Sequence, residues 1–93
     1  MRKAYLVTYD HQGPARNYTG LFNELKTFPG WWHYIDKTWI VVADTDAKGI
    51  YDKLKPHLDD EINLLVIAVG KDRKGWLPRK AWDWIKLNLA KYA

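Results

Sequence analysis

The spacing of apolar residues along the first third of the chain predicts a strand followed by a helix. Residues 3–9 alternate between two sets of aromatic, aliphatic and β-branched side chains, as in a strand with two distinct faces. The apolar residues that follow recur at helical spacing: Tyr18, Leu21, Phe22, Leu25 and Phe28. Asn17 suits the N-cap of this helix, and Pro29 and Gly30 would end it.

The middle of the chain predicts a hairpin and a second helix. Residues 31–35 and 38–43 are rich in aromatic and β-branched types, and the two residues between them leave room for a tight turn. A second helical stripe covers residues 47–58 and is preceded by side chains suited to an N-cap. Pro56 is expected to kink or end this helix.

The last apolar run completes the order strand, helix, strand, strand, helix, strand. Residues 63–69 are continuously apolar, a pattern typical of a strand in the interior of a sheet. This order predicts an α+β, ferredoxin-like βαββαβ domain over residues 1–70, with an antiparallel sheet and both helices on one face.

A C-terminal extension follows, and we expect it to belong to the same single domain. Residues 71–93 read as a charged loop and a helix over residues 79–91. One stripe of that helix is apolar: Trp82, Ile85 and Leu89. Such a stripe needs a surface to cover it, so we expect the helix to pack on the core or on a dimer partner.

Composition excludes several classes of protein. The chain has 93 residues, of which 47% are hydrophobic, with six Trp and six Tyr, so it can form a core. Cysteine is absent, which excludes a disulfide scaffold, a thiolate zinc site and a cysteine nucleophile. The apolar runs fall short of the ~20 residues that cross a bilayer, and the start does not read as a secretory signal. We therefore expect a cytoplasmic protein without a membrane partner.

The positive charge of the chain is concentrated in one stretch. The formal net charge is +4, and residues 71–80 alone carry five cations and one anion. This stretch is either a solvated loop or a surface that contacts phosphates, with Trp76 available to stack on a base. The candidate nucleic-acid-binding residues are Arg16, Lys71, Arg73, Lys74, Trp76 and Arg79.

Asp10 is the candidate for metal-dependent chemistry. Glycine-rich phosphate loops, nucleophile elbows and histidine metal motifs are absent from the sequence. Asp10 follows the first strand, where it is either a turn residue or a ligand for Mg²⁺ or Mn²⁺. One carboxylate holds such an ion poorly, whereas a two-fold dimer that brings two copies of Asp10 together would hold it better.

The aromatic stretch of residues 31–34 is a further candidate. Alternation places Trp31 and His33 on one face of the strand and Trp32 and Tyr34 on the other. The structural interpretation is that these rings pack in the core or in a dimer interface. The alternative is that the outward-facing pair stacks on bases. His33 is either a general acid or base, or a hydrogen-bonded structural residue.

Three segments carry a resemblance to a known family: residues 5–10 (Tyr-Leu-Val-Thr-Tyr-Asp), the hairpin ending at residues 38–42, and the strand at 64–69. Together they resemble the small CRISPR-associated adaptation endonucleases, which are related to the virulence-associated D toxins. The Trp-Trp-His-Tyr hairpin and the Gly-Trp-Leu-Pro tail are also similar to short bacterial and phage proteins. The resemblance covers residues 3–70 and implies a ferredoxin-like subunit whose sheets meet in a homodimer. It also implies that Asp10 is the catalytic, metal-binding aspartate.

The sequence thus predicts a dimer that binds nucleic acid or nucleotides. If it is an enzyme, it is a phosphodiesterase or endoribonuclease, with Mg²⁺ or Mn²⁺ held by paired Asp10 carboxylates. The alternative is a non-catalytic interaction protein of a defence, toxin–antitoxin or phage system.

Overall fold

The computed structural model describes residues 2–11 and 18–89. In these residues the chain forms four strands and three α-helices: β1 (Lys3–His11), α1 (Thr19–Leu25), β2 (Gly30–Ile35), β3 (Thr38–Ala43), α2 (Ala47–Leu54), β4 (Ile62–Ala68) and α3 (Arg79–Leu89). A short 3₁₀ turn, Lys55–His57, extends α2. The predicted α+β class, with one antiparallel sheet, is confirmed.

The strand order corrects one expectation about the sheet. The order is β2-β3-β1-β4, which is compatible with a ferredoxin-like arrangement, and all three pairings are antiparallel. β4 therefore lies at an edge, and the prediction that it is an interior strand is wrong. The prediction assumed that a continuous apolar run is buried on both faces of the sheet. Here Leu65 and Ile67 are apolar but are 55% and 53% exposed.

One face of the sheet, here called the helix face, carries α1 and α2. Its core combines buried side chains from β1, β3, both helices and the turn after α1: Tyr5, Val7, Tyr9, Leu21, Leu25, Phe28, Trp39, Val41, Ala43, Ile50 and Leu54. Trp39 is fully buried. Its ring centroid lies 5.5 Å from that of Phe22 and 4.0 Å from that of His33, whose ring is stacked on it. Trp39 thus packs β3 against α1 and against the side chain of His33 on β2.

The opposite face, here called the tail face, carries α3. Ala81, Ile85 and Leu89 are buried against residues of the sheet that include Trp32 and Ile40. The indole Nε1 of Trp32 donates a buried hydrogen bond of 3.2 Å to the carbonyl oxygen of Ala81. This bond fixes the first turn of α3 on the sheet.

The ends of the helices follow local side-chain chemistry. Asp46 caps α2 by accepting a 2.8 Å hydrogen bond from the Gly49 amide, and the predicted break at Pro56 is confirmed by the 3₁₀ turn. α1 ends at Leu25, three residues before the predicted Phe28. The hydroxyl of Thr27 donates to the Glu24 carbonyl at 2.6 Å, a local bond that competes with helix continuation.

At the N-terminus of α1, Tyr18 occupies the N-cap position without a capping hydrogen bond from its side chain. Asn17, the predicted cap, lies outside the described residues.

Over residues 2–11 and 18–89, the structure contains no helix with the length and apolar character needed to cross a membrane.

Glu24 links α1 to the end of α2 and makes folding stability depend on pH. Its carboxylate lies 3.3 Å from Nε2 of His57 and 3.7 Å from Nζ of Lys53. The hydrogen bond from His57, helped by Lys53, lowers the pKa of Glu24 below its ordinary value of 4.5. A lowered pKa stabilises the fold above pH ~4.5, and this stabilisation is lost as the pH falls through the folded-state value.

We predict that Glu24→Gln flattens the acid side of the stability profile. At pH 7 the variant should be less stable than wild type by less than ~1 kcal/mol, because the pair is partly solvated. The difference should vanish below the lowered pKa, where wild-type Glu24 is protonated. Urea unfolding between pH 3 and 7 measures it, and a difference that stays constant with pH would contradict the role of the ionised carboxylate.

We also predict that Trp32→Phe destabilises the fold by about 1–3 kcal/mol. The change leaves the buried Ala81 carbonyl without the indole donor. Trp76→Phe is the matched control, since Trp76 is 99% exposed and its change should cost less than ~0.5 kcal/mol. Urea denaturation monitored by circular dichroism compares the two, and equal losses would show that the Trp32 bond does not stabilise α3.

Candidate nucleic-acid interface

The charged stretch that runs from the end of β4 into the first turn of α3 is held at two points. We call residues 70–80 the basic segment. Just before it, the amide of Val69 donates a 3.1 Å hydrogen bond to the carbonyl oxygen of Ala4 on β1. Just after it, Ala81 is held by the indole of Trp32. The segment is thus tied to the sheet at both ends.

Contacts within the basic segment give it a defined shape. Nη1 of Arg73 donates a 3.0 Å hydrogen bond to the carbonyl oxygen of Gly70. Leu77 is partly buried against the core of the tail face. Gly75 passes beside Trp82, where a Cβ on it would be in ordinary van der Waals contact with the ring at 3.6 Å. With Leu77 turned inward, its neighbour Trp76 is turned towards solvent.

Trp76 is the most exposed of the large apolar side chains that the structure describes. Its exposed fraction is 99%, compared with 40% for Trp31 and 2% for Trp32. An indole presents more apolar area than most side chains, so leaving all of it in water forgoes the stabilisation that burial would bring. Because the ring is exposed and lies in a segment rich in Lys and Arg, it can stack on a planar partner.

The cations of the basic segment have no acidic partners in the described part of the chain. Five are exposed: Lys71, Arg73, Lys74, Arg79 and Lys80. No carboxylate of residues 2–11 and 18–89 lies within 4.0 Å of any of them. By contrast, Lys48 is hydrogen-bonded to Asp52 at 2.8 Å, which raises the pKa of Lys48. The charge of the segment is therefore available to an anionic ligand.

A groove of about 360 Å³ lies beneath the basic segment. Its floor is apolar and includes Leu6, Ile40 and Ile85, while Arg73 and Lys74 lie at its rim. The sequence did not reveal this groove, because its walls come from separate parts of the chain. Strand pairing brings Leu6 and Thr38 to this groove, and no local sequence motif indicates that pairing.

Asp10 lies at the end of β1, away from the basic segment. Its Oδ1 accepts a 3.1 Å hydrogen bond from Nδ2 of Asn63 on β4, beside a groove of about 250 Å³. Leu6, the β1 residue at the groove under the segment, precedes Asp10 by four residues, or about 14 Å along a strand. Lys71, Arg73, Lys74, Trp76 and Arg79 thus lie on one exposed segment of the chain, and Asp10 lies on another element. Arg16 lies outside the described residues.

The described residues of a single chain do not supply a complete metal site around Asp10. Among residues 2–11 and 18–89, no three His, Asp or Glu side chains are grouped so that they could hold an ion. Mg²⁺ prefers six oxygen ligands, and here one carboxylate is accompanied by the amide of Asn63. The donors found at Asp10 in the described part of one chain therefore do not fit a tightly held divalent cation.

The aromatic stretch of residues 31–34 packs as its alternation predicts. The rings of Trp31 and His33 lie against Trp39 on the helix face, while Trp32 and Tyr34 contact each other on the tail face. Nε2 of His33 is hydrogen-bonded to the carbonyl oxygen of Asp36 at 2.7 Å, which favours the structural interpretation of this histidine.

The outward rings of this stretch are less available for stacking than Trp76. Nζ of Lys26 lies 5.4 Å from the centre of the Trp31 ring, in a cation–π contact. Tyr34 is 45% exposed, with its centroid 5.4 Å from that of Trp32.

Comparison with known proteins does not add a relative. No family model, curated protein or solved structure matches the chain. Function is therefore inferred from the geometry of the residues above.

Proposed function

We propose that the chain binds single-stranded nucleic acid through the basic segment. In this proposal Trp76 stacks on an unpaired base, and the surrounding lysines and arginines contact the phosphates. The observation that carries it is the full exposure of Trp76 within a segment of net charge +4. This is the non-catalytic form of the function predicted from the sequence.

The choice of a single strand follows from what an exposed indole can reach. In a duplex the bases stack on each other, so a side chain such as Trp76 finds their faces covered. In a single strand each base presents a free face, and stacking on an aromatic ring contributes about 1–3 kcal/mol. Sequence preference should be weak, because every base has such a face.

The packing of the basic segment supports binding with little loss of entropy. The Arg73–Gly70 hydrogen bond and the partly buried Leu77 hold the backbone on either side of Trp76. A ligand that binds a pre-formed loop does not have to order it, so more of the contact energy appears as affinity.

We predict that Trp76→Ala weakens binding of a fluorescently labelled oligothymidine by about 5- to 100-fold, the equivalent of one stacked base. Trp76→Phe should retain most of the affinity, because it keeps an aromatic face. Tyr34→Ala is the control, since Tyr34 is an exposed ring outside the segment. Fluorescence anisotropy at low salt gives the affinities. A loss with Tyr34→Ala but not with Trp76→Ala would place the stacking surface on β2 instead.

We predict that replacing Lys71, Arg73 and Lys74 together by Ala flattens the salt dependence of binding. For single strands, removing three phosphate contacts should reduce the slope of log affinity against log salt by about 2. The triple variant of Lys48, Lys53 and Lys55 on and after α2 is matched in charge and should keep the wild-type slope. If both triple variants flatten the slope equally, net charge and not the basic segment determines binding.

Homodimer formation and metal-dependent phosphodiester cleavage, implied by the resemblance, form a second proposal. It is favoured by the exposed Asp10 carboxylate at the groove shared with Asn63. It requires a second copy to complete the ligand set. Asp10→Asn should then abolish cleavage in Mg²⁺ or Mn²⁺ while the mass in solution is unchanged. Equal cleavage by wild type and variant would exclude Asp10 as the catalytic residue.

A further inference from the structure

The free edge of β4 lacks the features that normally protect an edge strand. Within the described residues its only strand neighbour is β1. Its seven residues, Ile-Asn-Leu-Leu-Val-Ile-Ala, contain neither a charged residue nor a proline. Edge strands in monomers are usually blunted by charge, proline or a bulge, because their unpaired backbone groups otherwise attract another strand.

The direction of the backbone groups of β4 can be read from its pairing with β1. The Val69 amide donates to Ala4, and the register continues with Ala68 opposite Tyr5 and Ile67 opposite Leu6. Backbone groups in an antiparallel pair point alternately towards and away from the neighbouring strand. The amides of Leu64, Val66 and Ala68 therefore point away from β1, towards the free edge.

The side chains beside this edge are also apolar and open. Leu65 and Ile67 are 55% and 53% exposed, on the tail face beyond the reach of α3. On the helix face, Tyr51 of α2 is 41% exposed and lines a groove together with Leu64. The edge thus offers backbone groups in its plane and apolar contacts above and below.

We propose that this edge binds a second copy of the chain, with the two β4 strands antiparallel about a two-fold axis at Leu65. In this register Leu64 opposes Val66 of the second copy, and Ile62 opposes Ala68. The carbonyls of all four face the free edge, as do the amides of Leu64, Val66 and Ala68, whereas the Ile62 amide already donates to the Asp59 carbonyl. Three amides from each strand can therefore form about six new hydrogen bonds. If the register shifted by one residue, backbone groups that point towards the free edge in one copy would lie opposite residues whose backbone groups point towards β1 in the other. The hydrogen bonds between the two strands would then be lost.

Charge favours a second copy over an unrelated strand. β4 is preceded by Asp59, Asp60 and Glu61 and followed closely by Lys71, all of them exposed. Antiparallel pairing about Leu65 brings the acidic end of one strand, which includes Asp60, beside the basic end of the second copy, which includes Lys71, and symmetry repeats this at the other end. The strand is therefore complementary to itself in backbone, in apolar side chains and in charge.

This dimer differs from the one implied by the family resemblance. Asp10 lies on the strand next to β4 and opposite Asn63, two residues from the axis. Standard strand spacing then separates the two copies of Asp10 by about 20 Å, too far for a shared ion. The two basic segments lie on the same side of the joined sheet, where one nucleic-acid strand can contact both.

A single cysteine tests the proposed axis directly, because the chain has none of its own. Leu65→Cys should form a disulfide-linked dimer under mild oxidation, since opposed residues at such a position have Cβ atoms about 4.5–5.5 Å apart. Leu87→Cys on α3, where Leu87 is 77% exposed, is the control and should cross-link at least tenfold more slowly. Equal cross-linking rates would overturn the proposal.

A charge at the axis should separate the two copies. Wild type is expected at twice the 11.0 kDa chain mass by light scattering at ~100 μM, and Leu65→Lys at the mass of one chain. Leu87→Lys should remain dimeric. A monomeric wild type, or a Leu65→Lys variant that stays dimeric, would overturn the proposal.

The pairing of β4 does not depend on the proposed function, and the two can be separated. The monomeric Leu65→Lys variant should bind an oligonucleotide that spans one basic segment with unchanged affinity. If such binding fails in wild type while Leu65→Cys still cross-links, the proposed function is wrong and the dimer stands.

Discussion

The docking of α3 on the tail face is the interaction on which the rest of the structure depends. The buried hydrogen bond from Trp32 to Ala81 holds the beginning of this helix, and Ile85 and Leu89 continue the contact. Because α3 is held there, the basic segment is tied at its far end as well as at Val69. A segment free at one end could fold Trp76 onto apolar surface, which would be more favourable than exposure to water.

The same constraint explains why part of the tail face stays open. A helix is about 10 Å wide, and the outer strands of a four-stranded sheet are about 15 Å apart. The helix face has two helices and is covered from β3 to β4. The tail face has one, which packs towards β2 and leaves Leu65 and Ile67 of β4 exposed. The exposure of these two side chains thus follows from the number of helices that the described residues place on each face, whereas the free edge of β4 follows from the strand order.

The fold was predicted well where the signal is local. Alternation assigned residues 31–34 to their two faces. The polar residues 44–46, of which Asp46 is the cap in the structure, marked the start of α2, and Pro56 marked its end. The position of β4 in the sheet was not predictable, because a continuous apolar run is compatible with an interior strand and with an edge that has an apolar open face. Strand order depends on contacts between residues distant in the chain.

The candidate site likewise has features that are local in the sequence and features that depend on tertiary structure. The cluster of cations and its tryptophan are visible in the sequence, since they are neighbours in it. The exposure of Trp76 depends on the inward packing of Leu77, and the partner of Asp10 is Asn63, 53 residues away. Such contacts are set by tertiary structure and have no signature in the spacing of residues.

The most direct test of nucleic-acid binding is a titration of the ¹⁵N-labelled chain with oligothymidine, followed by NMR. If the basic segment binds the oligonucleotide, the indole signal of Trp76 and the amide signals of residues 70–80 shift at low salt, while the indole signal of the buried Trp39 does not. Shifts confined to the groove at Asp10 and Asn63, or none at a millimolar excess of oligonucleotide, would contradict binding by this segment.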